Sequence, residues 1–375
     1  MQVRDNKRKI KHFRNAVASV ILAINALFIG LLFFSAYSPY IQPVAHPIRS
    51  CFGLAFSFFA LINVAFLFFW LVIRYYRFAL VPLIALLICY SQIRTSLPLN
   101  FKTKNLPEGY FKMLSYNIMG FDNTEKTKDG NPILNYLKNS GADILCLQEY
   151  ATVESSKQHI TQKNVEEELA AYPYHHIQIV GSGRGHTNRI ACYSKYPILS
   201  ARLLNYKSEY NGSVIYELKM GEDTVTLINN HLESNKLTKE DKVVYESMLK
   251  SPQTDKVKTG ARMLLKKLAE ASAIRAPQAD SIAKEILHSK SPYIIVCGDF
   301  NDSPISYSHR IIGQNLNDTY TESGCGPGIS YNQNKFYFRI DNIMASKNFK
   351  SYNCTVDRSI KESDHYPIWC YLKKE

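Results

Sequence analysis

Eight polar side chains stand at or just beyond the ends of apolar segments of strand length. Asn117 closes FKMLSYN, Glu149 closes DILCLQE and His231 closes TLINNH. Asp299 and Asn301 follow YIIVCG, Asp341 lies in YFRIDNIMAS, and Asp364 and His365 sit in ESDHYP. Strand ends of this kind are where α/β folds place their sites. Taken singly, each residue has an ordinary structural use, because Asn turns a chain and Asp or His in a loop caps a backbone group. Together, four carboxylates, two imidazoles and two amides are the side chains that metal-assisted hydrolysis of a phosphate ester needs. A phosphodiester is anionic and repels an attacking hydroxide, and a cation beside it cancels that charge. Hard oxygen donors suit Mg²⁺ or Mn²⁺. None of the eight cysteines has the spacing of a zinc site.

The elements that must position these residues alternate along the chain. Residues 111–118 and 143–148 read as strands with a helix over 131–139 between them. Further strands are expected at 175–180, 190–194, 213–218, 225–229, 293–297, 339–345 and 366–372. Helical periodicity appears at 165–171, 239–249 and 263–287, the last expected to break at Pro277. Alternation with hairpin-like pairs predicts a mixed-sheet α/β domain over residues 110–375. Its roughly 270 residues suffice for a packed core.

Six segments carry a resemblance: SYNI at 115–118, LQE at 147–149, NNHLE at 229–233, GDFND at 298–302, RIDNIMAS at 339–346 and SDHYP at 363–367. In these segments and their order the chain resembles the endonuclease/exonuclease/phosphatase family, the superfamily of DNase I, abasic-site endonucleases, neutral sphingomyelinases and inositol-polyphosphate 5-phosphatases. The resemblance implies an α/β fold of two packed mixed β-sheets flanked by helices, a DNase I-like four-layer sandwich. It implies Glu149 as principal Mg²⁺ ligand, with Asn117 beside it and Asp364 as a further acid near the metal. Asp299 and Asn301 would activate the attacking water and hold a phosphate oxygen. His365, oriented by Asp341, and His231 would face the scissile phosphate. The chain departs from the repair endonucleases at Met119, where those enzymes commonly carry an acid. Arg189 is a further candidate for substrate phosphate, or else a surface arginine beside a strand. The glycine-rich run 181–185 does not lead into a helix and reads as a loop rather than a phosphate cradle.

The first quarter of the chain has a different composition. Residues 1–95 hold ten Lys/Arg against the single acid Asp5, so +9 of the formal charge of +13 falls there. The high pI is therefore weak support for nucleic-acid binding by the rest. Residues 1–96 are expected to be a membrane anchor with three spans, 16–37, 50–73 and 78–93, of which the last is short for a ~30 Å hydrocarbon core. A linker over 97–109 follows. Lysines and arginines at 7–14, with Arg74 and Arg77, predict a cytoplasmic N-terminus. Three crossings would then put the catalytic domain outside the cytoplasm, attached to the inner, or cell, membrane. If the third run does not cross, that domain is cytoplasmic.

The expected partners are the lipid bilayer and a phosphate-containing substrate, either nucleic acid or phospholipid. The expected function is a Mg²⁺-dependent phosphoesterase, nuclease-like or acting on a lipid headgroup. The competing reading is a catalytically inactive, membrane-tethered phosphate- or nucleic-acid-binding module. A transporter built from the first helices is disfavoured, since no charged residue lies inside the apolar runs. Between His231 and Asp299 lie 67 residues, more than one crossover helix requires. The charged part, 234–259, reads as a solvated helix with one packed face, or as a lid. The cysteines do not form a disulfide framework, although a pair among Cys325, Cys354 and Cys370 is conceivable.

Overall fold

The computed structural model describes residues 2–123, 130–154, 159–183, 186–208, 210–238, 241, 243, 245, 254–333 and 336–375. Most of the expected helix at 239–249, and residues 184–185 of the glycine-rich run, lie outside them.

Two six-stranded mixed sheets form the catalytic domain. In one the order is β13(Phe349–Val356), β14(Ile368–Lys374), β1(Phe111–Asn117), β2(Ile144–Gln148), β4(His186–Ser194), β3(Tyr174–Gly183). In the other it is β5(Ile198–Leu203), β6(Gly212–Met220), β7(Asp223–His231), β8(Tyr293–Asp299), β12(Asp341–Ala345), β9(Asn317–Asp318). A small hairpin, β10(Tyr331–Gln333) with β11(Phe336–Phe338), stands beside them. Inward-facing residues of both sheets, among them Met113, Cys146, Tyr216, Leu227, Ile295 and Ile368, make the central core. The outer face of the first sheet packs Leu114, Tyr116 and Leu145 on Leu134 and Leu137 of helix Pro132–Asn139 and Val165 of helix Gln162–Glu168. The outer face of the second packs Ile215, Ile228 and Val296 on Ala279, Ile282 and Ile286 of helix Thr254–His288. Helices, sheet, sheet, helices: the expected four layers are present.

Differences from the sequence reading have local causes. Helix Thr254–His288 runs unbroken through Pro277. Pro277 is exposed, while Arg275, Ala276, Gln278 and Ala279 around it are buried and hold the helix against the domain. The unexpected strands β5 and β13 are sheet edges, and neither has a fully buried face to pattern it. The strands expected at 225–229 and 293–297 run two residues further, so that His231 and Asp299 end them, while Asp341 opens β12 inside the expected 339–345. All eight cysteines are free thiols.

The N-terminal bundle begins with helix Gln2–Tyr37, and helices Phe56–Val72 and Tyr76–Ile88 pack beside it. Two helices are long and apolar enough to cross a membrane, Arg8–Tyr40 and Pro47–Val72, and a third crossing exists if Tyr76–Ile88 and Tyr90–Ser96 form one span. Those two segments bend by 65°. The bend falls at Cys89, and Pro82 sits within the preceding helix. Inside the bundle Asn25 donates to Asn63 at 3.2 Å and Trp70 donates to Asn25 at 3.3 Å. Such amide pairs hold helices together where a charge would be too costly. At one end of the bundle Arg14, Arg74 and Arg77 gather around Tyr75. The catalytic domain meets the opposite end. Residues 97–104 are not a free tether: Asn100 donates to the carbonyl of Gly324 at 2.8 Å and Thr103 to Asn353 at 2.8 Å.

Candidate active site

Register across the sheets aligns the catalytic candidates before any side chain is considered. β7 and β8 are parallel with His231 opposite Asp299, and β8 and β12 are antiparallel with Asp299 opposite Asp341. Three adjacent strands therefore offer His, Asp and Asp in one row. In the facing sheet, β1 and β2 run parallel with Asn117 opposite Gln148, so Glu149 follows at the same edge. Backbone conformation sharpens the placement. Glu149 and Asn301 both sit in the left-handed region, at φ 51°, where a non-glycine residue is strained. Gly298 has φ 124°, and a Cβ there would lie 2.0 Å from the Asn230 carbonyl oxygen, so only glycine lets β7 and β8 close at this point.

The two edges meet. Asn117 Nδ2 donates to Glu149 Oε1 at 3.0 Å and to Asp299 Oδ2 at 3.2 Å. Asn301 donates to Asp299 through its backbone N–H at 2.8 Å and its amide at 3.2 Å. His231 Nε2 lies 3.6 Å from Glu149 and 3.7 Å from Asp299. His365 Nε2 lies 3.6 Å from Asp299, while its Nδ1 is hydrogen-bonded to Asp341 at 2.8 Å. Asp364 lines the same cavity. All eight expected residues thus converge. Arg189 instead sits in β4, where its backbone carbonyl accepts from Tyr150, and it does not line the cavity.

Asp299 is 1 % exposed and Glu149 40 %, so the cluster is dry on one side and open on the other. Burial lifts the Asp299 carboxyl to about 6, with Asp341 adding to the lift and His365 and His231 pulling against it. For His365, burial opposes the charge. Asp341 and Asp299 outweigh it and raise the imidazole well above its ordinary value. A carboxylate above its usual range takes a proton more readily, and a charged imidazole is a donor suited to phosphate.

Asp299, Asp341 and His365 place one ligand atom each within 4.8 Å of one another, a group able to hold a metal ion. Asp341 Oδ1 is buried and has no hydrogen-bond partner among the described residues. The open carboxylate of Glu149 faces the same cavity. A hard divalent cation fits the carboxylate oxygens of this site, while His365, as a charged donor, would not be among its ligands. Asn117 presents its nitrogen to the carboxylates, and its oxygen accepts from the Met119 N–H at 3.2 Å, so as a cation ligand its amide would have to turn over.

Several positioning residues were not anticipated. Asn188 Nδ2 holds His231 Nδ1 at 3.3 Å and also donates to the Tyr210 carbonyl, so the ring proton belongs on Nε2, facing the carboxylates. Gln148 donates to Asn229 at 2.6 Å and ties the two sheets together beneath the site. Arg275, from helix Thr254–His288, donates to Asp302 at 3.3 Å, to the Glu233 carbonyl and to Asn235. It clamps the segment after His231 to the segment after Asn301. Ser234 to Leu237, the start of the expected insertion, line the cavity.

Residues 114–365 match the model of the Endonuclease/Exonuclease/phosphatase family. The chain belongs to that family. Residues 18–96 match a second model, described as a domain of unknown function. A search of curated protein sequences returns no match. Among solved structures, an endonuclease/exonuclease/phosphatase from Beutenbergia cavernae is similar, with 15 % identity, TM-score 0.50, and coverage of 71 % of this chain and 72 % of that one. The human Nocturnin catalytic domain with bound sulfate has 14 % identity, TM-score 0.48, and coverage of 72 % and 96 %. D. rerio TDP2 complexed with single strand DNA product has 14 % identity, TM-score 0.46, and coverage of 71 % and 99 %. At these identities the likeness is one of fold.

Proposed function

We propose that this protein is a membrane-anchored phosphoesterase, dependent on Mg²⁺ or Mn²⁺, that hydrolyses a phosphodiester. The observation that carries this reading is the meeting of Asn117, Glu149, Asp299, His231 and His365 across the edges of two sheets. A divalent cation held by Glu149, Asn117 and Asp364 would supply charge neutralisation at the phosphate. Asp299, steadied by Asn301, takes the proton of the attacking water. The water oxygen bonds to phosphorus, the ester P–O bond breaks, and the products are a phosphomonoester and an alcohol. His365 donates to a phosphate oxygen, and Asp341 fixes its ring through Nδ1. His231 Nε2 faces the same oxygens from the other side. An inactive binding module is the weaker reading, since the full set of eight residues is retained.

The test uses the full chain in detergent with bis-p-nitrophenyl phosphate. Turnover should require Mg²⁺ or Mn²⁺, vanish with EDTA, and fall on the order of 10³-fold in Glu149→Gln. Full turnover in that variant would remove the metal assignment.

The proposed orientation puts the N-terminus in the cytoplasm and the catalytic domain outside it. The gathering of Arg14, Arg74 and Arg77 at the bundle end remote from the catalytic domain supports this. A reporter fused at the C-terminus and active only in the cytoplasm would reverse it.

A further inference from the structure

The catalytic cavity is not walled by the catalytic domain alone. Its volume is about 320 Å³, and Ser50, Cys51 and Leu54 of the anchor line it together with Glu149, His231, Asp299 and His365. The joint that brings them there is tight. A Cβ on Gly53 would lie 1.8 Å from the Ile305 carbonyl oxygen, so anchor backbone and catalytic backbone are in direct contact. Ile305, four residues after Asn301, is buried in one cluster with Leu32, Ala36, Phe56 and Ala85 of the bundle. Arg310 donates to the Pro39 carbonyl at 2.9 Å and lies 4.5 Å over the Tyr40 ring, and Arg339 donates to the Thr95 carbonyl at 2.7 Å.

Two further observations say what approaches this cavity. Leu54 stands in the turn Cys51–Ala55 that joins Pro47–Ser50 to helix Phe56–Val72, inside the apolar segment Pro47–Val72, so the cavity wall is continuous with a segment suited to a bilayer. At that end of the bundle and on the segment leaving it, Tyr40, Val44, Ile48, Leu97, Leu99 and Phe101 are exposed, Phe101 almost completely. Exposed apolar and aromatic side chains at the end of a span belong in a bilayer interface. The charge of the lining points the same way. Of its cations, Arg275 is paired with Asp302 and Lys236 with Glu233, while Glu149, Asp299, Asp302 and Asp364 are acidic. A polyanion needs a row of cations along its backbone, and this lining offers none beyond the paired ones among its described residues. One phosphate carried on an apolar body suits it better: carboxylates at the floor, where a divalent cation would be held, with Leu54, Ile305, Phe338 and Ile340 at the wall.

We infer that the anchor turn at residues 50–54 is the specificity wall of the active site, and that the substrate is a lipid-borne phosphoester entering from the bilayer surface. This rests on the phosphoesterase reading above. Water attacks phosphorus and the phosphoester bond breaks as before. What the wall selects is the apolar body attached to the phosphate.

The full chain, reconstituted in phosphatidylcholine vesicles, is assayed with two chromogenic diesters, methyl p-nitrophenyl phosphate and hexadecyl p-nitrophenyl phosphate. The hexadecyl ester should be preferred at least tenfold in kcat/KM, and a single-stranded oligonucleotide should be a poorer substrate than either. Leu54→Glu and the milder Leu54→Ser keep the tether, so loss of preference in them reports the wall and not mere confinement to the surface. The preference should fall severalfold in both. Thermal unfolding in detergent identifies a variant that has failed to fold, in which case the other decides. An unchanged preference in the folded variants, no preference in the parent, or faster cleavage of the oligonucleotide would each overturn the inference. Loss of turnover on both diesters in the parent, with Glu149→Gln indistinguishable from it, would instead bring down the phosphoesterase reading itself.

Discussion

Inside the helical bundle the buried polar groups are neutral: Asn25, Asn63 and Trp70 share hydrogen bonds across helices. Inside the catalytic domain Asp299, Asp341, His231 and His365 lie almost fully buried within a few ångströms of one another, and Arg275 is buried against Asp302. The difference follows from what each interior can offer an ion. In a helical bundle backbone groups are used up within each helix, so little is left to hold a buried charge. At the edge of two sheets, strand ends leave N–H groups, amides and counter-charges that hold carboxylates in place. One polar interior sets helix register, and the other is arranged for chemistry.

Breaking a charge pair should therefore hurt far more than breaking the amide pair. Arg275→Met leaves Asp302 buried without its partner and should lower stability by about 3–5 kcal/mol in denaturant titrations. Replacing Arg275 and Asp302 together by apolar residues should recover much of that loss, and failure to recover would mean that Arg275 acts through Asn235 and the Glu233 carbonyl instead.

A second charge cluster sharpens the contrast through pH. Burial would raise the pKa of Asp318, but Arg339 at 3.2 Å and His309 at 3.3 Å outweigh it and hold the carboxyl well below its ordinary value. A depressed folded pKa adds stability above the unfolded value of about 3.9 and loses it as pH falls towards the folded one. Asp318→Asn should thus be less stable than the parent at neutral pH, and the gap should narrow below roughly pH 4. A gap independent of pH would show that packing, not charge, holds this site.

The smallest effect is expected in the bundle. Asn25→Leu should cost about 0.5–2 kcal/mol and leave turnover of a soluble diester unchanged. A large loss there would erase the distinction between the two interiors.

The catalytic candidates could be read from the sequence because each ends an apolar strand, and sheet topology brings like ends together. The N-terminal helices could be read because each contains a long apolar run without charge. What escaped has its partner far away in the chain. Gln148 and Asn229 are 81 residues apart, and although each lies in a segment that carries the family resemblance, nothing local pairs them. Asn188 lies beside the Arg189 that drew notice, and only the fold shows it beneath His231. Arg275 sits in a helix among many basic residues, with nothing local to single it out. Pro277 misled because an interruption was inferred from its chemistry, whereas the packing of its buried neighbours Arg275, Ala276, Gln278 and Ala279 carries the helix through. The contact of Gly53 with Ile305 has no signature in either segment.

That contact has a mechanical consequence. Because the turn Cys51–Ala55, inside the apolar segment Pro47–Val72, touches the segment just after Asn301 backbone to backbone, tilting of that segment would be transmitted to the active-site rim. Hydrophobic mismatch changes helix tilt. If the segment crosses a bilayer as proposed, membrane thickness becomes a variable to which turnover should respond, and lengthening the chain at 97–104 would not relieve it, since the load passes through Gly53.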